Sequence, residues 1–131
     1  MKIGTSVAAA LAAASCLILA APPAMAATGD IMVYTTDPGH PAAFGWFHPY
    51  GEAWGVCDDQ ADGKRAIAQL KDIDGGVQYG LVDDTGYDNT CAKADTGFNI
   101  TDGHRVALRV CLRDGALGPI TDCSAWKYTT A

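Results

Sequence analysis

From Arg105 to Arg113 apolar and charged positions exchange places. Val106, Leu108, Val110 and Leu112 fall on one side of an extended chain, and Arg105, Arg109 and Arg113 on the other. A period of two marks a strand with one buried face and one wet face. Similar stretches read IMVYT (31–35), EAWGVCD (52–58), RAIAQLKD (65–72), GVQYGLVD (76–83), GFNI (97–100) and CSAWKYT (123–129). Between them lie the turn-forming clusters DDQADG, DIDGG, DDTGYDN, TDGH and DGALGP, rich in the residues that tolerate tight backbone reversal. From residue 27 onward no stretch holds a sustained helical 3.6-residue period. The pattern predicts an all-β chain, a small antiparallel β-sandwich of about seven strands.

The first 26 residues stand apart. Lys2, an apolar run from Val7 to Ala21, and small residues at Ala24 and Ala26 form the three zones of a secretory signal peptide. Cleavage after Ala26 is expected to leave residues 27–131 as one domain in the extracellular space, with no membrane span. That remainder holds eight bases against fifteen acids, a net charge of −7, which makes nucleic acid and anionic membrane surfaces poor partners. Fourteen of the acids are aspartate, a residue that favours turns and disfavours helix interiors.

Cysteine usage sharpens the picture. Cys16 leaves with the leader, and Cys57, Cys91, Cys111 and Cys123 remain. Four cysteines in a short exported chain imply two disulfides. A hairpin closed by DGALGP and centred on Leu117 sets Cys111 opposite Cys123, where Cβ atoms come close. The expected bonds are therefore 111–123 and 57–91. Residues 27–43, with Pro38, Gly39 and Pro41, precede both disulfide loops and read as an N-terminal arm or an edge strand. Residues 44–131 form the body.

Phe44, Trp46, Phe47 and Tyr50 lie within seven positions, with His48 among them. Extended, this stretch places Phe44, Trp46, His48 and Tyr50 on one face and Phe47 on the other. One reading packs the aromatic face into the core, where Trp54 and Trp126 are also expected, with Phe47 capping the end. The other makes the stretch a contact surface, since aromatics concentrate at the centres of protein interfaces. The candidate partner-binding residues are Tyr34, Phe44, Trp46, Phe47, His48 and Tyr50.

The sequence contains little that suggests catalysis, and no enzymatic activity is expected. Ser124, the one serine after the leader, sits in no nucleophile elbow, and all four thiols have expected disulfide partners. His40 and His104 fall in turns and His48 in the aromatic stretch, with no ligand spacing typical of a metal site. No cofactor is expected. Calcium is the one metal left open, through the loop aspartates Asp58, Asp59, Asp62, Asp72, Asp74, Asp83, Asp84 and Asp88, although no EF-hand pattern is present.

The alanine-rich leader together with GEAWGVCDDQADGKRA, LRVCL and DCSAW resembles small secreted two-disulfide proteins of filamentous actinobacteria, over most of residues 50–128. In size, export and N-terminal segment the chain is also similar to adaptor subunits of umbrella toxin particles, whose extended N-terminal segment engages a neighbouring subunit. The resemblance implies a compartment and a fold, and assigns no residue a role. The expected function is a secreted protein–protein adaptor that binds another secreted protein through its N-terminal segment and aromatic stretch. Alternatives are a hydrolase inhibitor presenting loop 83–91 with Tyr87, and a glycan-binding module dependent on Trp46.

Overall fold

The computed structural model describes residues 29–84 and 90–131. The leader and residues 85–89, including Tyr87 and Asp88, lie outside the described residues. The described chain is all-β, with nine strands: β1 (Ile31–Tyr34), β2 (Ala43–His48), β3 (Ala53–Asp58), β4 (Lys64–Asp72), β5 (Val77–Asp83), β6 (Ala92–Ala94), β7 (Arg105–Asp114), β8 (Ile120–Thr121) and β9 (Lys127–Thr130). They form two antiparallel sheets. The first runs β1-β2-β3-β6; the second runs β5-β4-β7-β8, with β9 also paired to β7. Among the described residues no helix is long and apolar enough to cross a membrane.

The core follows the alternation. Val106, Leu108, Val110 and Leu112 of β7 face inward, beside Ala66, Ala68 and Leu70 of β4. From the first sheet come Ile31, Val33, Ala43, Phe47, Trp54 and Val56. The inward positions of β2 are Ala43, Gly45 and Phe47. A Cβ on Gly45 would stand 3.2 Å from the Gly55 carbonyl, 3.7 Å from Val110 Cβ and 3.8 Å from Ala68 Cβ. The sheets thus approach closely there, and only small residues fit between them. This overturns the reading in which the bulky face of β2 packs inward with Phe47 as an end cap.

Both expected disulfides are present. Cys57–Cys91 joins β3 to the start of β6, with Cα atoms 4.4 Å apart, and Cys111–Cys123 joins β7 to the segment after β8, with Cα atoms 4.0 Å apart. Two such bonds fit an oxidising, extracellular environment. The hairpin register is less uniform than expected. Leu112 pairs with Thr121 and Arg113 with Ile120, one residue out of step with a 111–123 pairing. Asp122, in the left-handed region at φ 52°, inserts the extra residue of a bulge, after which Cys123 meets Cys111 and Ser124 N donates to the Val110 carbonyl at 2.8 Å.

Within residues 29–43, Ile31–Tyr34 form β1 at the edge of the first sheet. Thr129 Oγ1 bonds both the amide and the carbonyl of Gly29, Lys127 Nζ reaches the Met32 carbonyl, and Thr36 N donates to the Asp122 carbonyl. These contacts tie β1 to the second sheet.

GFNI is not a strand; β6 forms just before it. Ile100 is nonetheless buried, and its amide donates to Glu52 Oε2 at 2.6 Å. Glu52 is itself buried and holds φ 47°, so its carboxylate substitutes for the missing ladder partner. Glu52→Ala would leave a buried donor unpaired and is expected to cost about 1–3 kcal/mol, measurable as a lower urea midpoint at unchanged slope.

Candidate interaction surface

The alternation that sends Phe47 inward turns the rest of the aromatic stretch outward. Phe44, Trp46 and His48 are half-buried on the outer face of the first sheet. The β1–β2 register sets Tyr34 beside Phe44 and Met32 beside Trp46. Ring centroids are 6.0 Å apart for Tyr34–Phe44 and 6.2 Å for Phe44–Trp46, within the range of favourable aromatic pairs. Tyr34 and Met32 remain 51% and 44% exposed, and the Tyr34 hydroxyl lies 2.9 Å from Met32 Sδ.

The ladder continues into β3. Phe44 is opposite Cys57, placing the Cys57–Cys91 disulfide at the end of the Tyr34–Phe44 row. Trp46 is opposite Gly55, and the indole occupies the space a Gly55 Cβ would need. The missing side chain lets the ring lie flat across the strand. At the far end of the face, His48 Nδ1 is 3.0 Å from Asp30 Oδ2. The result is a continuous outward surface of thioether, phenol, phenyl and indole, held by cross-strand pairing.

Four of the six candidate binding residues, Tyr34, Phe44, Trp46 and His48, are therefore brought together. Phe47 is not among them: it is fully buried, because its neighbours Ala43 and Gly45 are the residues small enough to face the second sheet. Tyr50 stands apart in the turn after β2, 82% exposed, beside a cavity of about 380 Å³ that also involves Glu52 and Phe98. Met32 was not a sequence candidate; only the β1–β2 register reveals it. Trp126, expected in the core, lies on the outer face of the second sheet, while Trp54 is buried as expected.

The loop aspartates divide into separate roles. Asp72 accepts from Gly75 N at 2.8 Å and lies 2.9 Å from His104 Nδ1. Asp74 is held by Arg105 through its side chain and backbone amide, which draws its carboxyl down to about 2. Asp58 is buried; its Oδ1 accepts from Gln60 N, but its Oδ2 has no partner among the described residues. Burial pushes its carboxyl above the ordinary 3.8, and Asp62, Asp83 and Asp59 reinforce the shift. No group of three potential ligands is arranged to hold a metal among the described residues.

Comparisons with protein-family models, curated proteins and solved structures return no match to this chain.

Gly55→Val would drive a side chain into the Trp46 indole and the Ala92 carbonyl. It is expected to cost about 1–3 kcal/mol and to change the near-ultraviolet circular dichroism as the indole is displaced. Asp58→Asn tests the buried carboxylate. Because the folded state raises this pKa, it binds the proton more tightly than the unfolded chain, so the stability gained in acid is lost as pH rises from 3.8 through the raised value. The asparagine variant is expected to lack that slope and to melt about 4–8 °C higher at pH 7, equivalent to about 1 kcal/mol in a domain of this size.

Proposed function

We propose that this protein is a secreted, non-enzymatic binding protein that acts as an adaptor by docking another secreted protein on the outer face of its first sheet. The carrying observation is the contiguous outward surface of Met32, Tyr34, Phe44 and Trp46. Rigid aromatics lose little side-chain entropy when covered and dominate the energetic centres of protein interfaces. Their fixed cross-strand geometry adds preorganisation. The two disulfides and the signal-like leader support an extracellular setting, and the resemblance to adaptor subunits agrees with this mode of action.

Attachment occurs through side chains rather than by strand addition. In β1 and just beyond it the backbone groups pointing away from β2 are partly engaged, since Met32 O receives Lys127 and Thr36 N donates to the Asp122 carbonyl. A partner reading the aromatic face requires no free edge. The N-terminal segment contributes Met32 and Tyr34 to this surface and keeps its strand pairing.

The test is the native size of the protein in its producer's culture supernatant, by size-exclusion chromatography with mass spectrometry of co-eluting chains. The adaptor role gives elution far above the mass of residues 27–131 with a reproducible partner; a lone monomer excludes a stable complex. Truncating β1 is the wrong control, because it uncovers the core residues Ile31 and Val33. Tyr34→Ala with Phe44→Ala removes the outward rings instead. It is expected to weaken partner binding at least tenfold, about 1.4 kcal/mol, while far-ultraviolet circular dichroism shows the strands retained.

A further inference from the structure

The outer face of the second sheet carries an opposite chemistry. On β7, Arg105, Arg109 and Arg113 alternate with the core residues, and β4 adds Arg65 and Lys71 on the same side. Five of the eight bases in residues 27–131 thus share one face of a chain whose net charge there is −7. Arg105 is neutralised by Asp74 at 2.6 Å, and Arg65 lies 3.6 Å from Asp84. Among the described residues no carboxylate pairs with Lys71, Arg109 or Arg113. Arg113 stands directly opposite Arg65 in the ladder, a like-charge placement that Asp84 offsets on the Arg65 side alone. Its buried Nε has no hydrogen-bond partner among the described residues.

The cations are organised around an aromatic. Lys71 Nζ lies 4.1 Å and the Arg109 guanidinium 4.7 Å from the Trp126 ring centroid, close enough for cation–π attraction. Arg109 Nε donates to Gln69 Oε1 at 2.6 Å, which fixes the guanidinium. Trp126 and the 56% exposed Tyr128 border a groove of about 450 Å³ that also involves Lys71, Gln78 and Asp72, the last with its carboxylate engaged by Gly75 N and His104 Nδ1. Ile67 and Cys111, both buried, separate this groove from Arg113 and Arg65 farther along the strands. Arg109 and Arg113 are four residues apart on β7, about 13–14 Å of strand.

We infer that this face binds an acidic polysaccharide, a polymer of sugar rings bearing carboxylates. Cations set beside aromatic rings suit a polymer in which rings and carboxylates recur together, which an acidic polypeptide lacks. Sugar rings match the exposed Tyr128 beside Trp126, hydroxyls match Gln78, and successive carboxylates match Lys71, Arg109 and Arg113, which have no carboxylate partner among the described residues. The site is on the opposite sheet from the aromatic face and is independent of the adaptor role.

The test uses the full secreted protein and three polymers: polygalacturonate, its methyl ester and polyglutamate. Binding is measured by titration calorimetry at low and moderate salt. Polygalacturonate is expected to bind at least tenfold more tightly than either the ester, which has the rings without the charge, or polyglutamate, which has the charge without the rings. Lys71→Gln with Arg109→Gln is expected to weaken it at least tenfold with the fold retained by far-ultraviolet circular dichroism, whereas Lys93→Gln on the other sheet has no effect. Equal binding of polyglutamate overturns the inference in favour of an acidic polypeptide. Equal binding of the ester, or no binding of polygalacturonate, overturns it outright.

Discussion

The close approach of the two sheets at Gly45 constrains much of what is seen on the molecule's surface. With the Gly55 carbonyl beside it and Val110 and Ala68 facing it, the middle of β2 has room for at most a small side chain. Of the two faces this strand can present, only the one bearing Ala43 and Gly45 fits inside, and Phe47 follows because side chains alternate. Phe44 and Trp46 are consequently forced outward, although their transfer from water would favour burial. They find partial cover by lying across the strands on either side. Tyr34 supports one end, and the bare backbone of Gly55 receives the indole at the other. The outward aromatic surface is thus a consequence of tight core packing.

The second sheet is subject to no such displacement. Its inward residues are aliphatic along β7 and small or aliphatic along β4, and its outward residues alternate basic side chains with the apolar Ile67, Ala107 and Cys111. The acids gather mainly in loops, where they close turns or pair locally, as Asp72 does with His104 and Asp74 with Arg105. The two outer faces therefore differ in kind: one is apolar and aromatic, the other cationic with an aromatic at its centre. Charge segregation of this type lets a net acidic protein present a local positive field.

Much of the fold was legible because it rests on period-two alternation and turn chemistry, both local. The β7 pattern identified its inward residues, and the hairpin geometry correctly paired Cys111 with Cys123. The features that escaped were three-dimensional. Asp122 looks like any turn aspartate until its left-handed backbone shifts the register. GFNI carries apolar residues without a ladder because Glu52, distant in sequence, satisfies the Ile100 amide. The inward face of β2 could not be chosen from its own residues, since the choice depends on Ala68 and Val110 in another sheet. Trp126 reads as core by composition, yet Lys71 and Arg109 hold it on the surface. The site was half visible: the aromatic stretch was conspicuous, but Met32 enters only through strand register.

Each disulfide lies within a single sheet, and neither spans the sandwich. One closes a loop of sequence separation 34 and the other a loop of separation 12, while β1 precedes both. Under tension applied near Gly29 the chain has a defined order of yielding. The Thr129 and Lys127 contacts and the β1–β2 ladder carry the load first, with no covalent reinforcement. Beyond Cys57 the segments 57–91 and 111–123 cannot lengthen while their bonds remain oxidised. The molecule is thus built with a compliant leading strand and inextensible segments behind it.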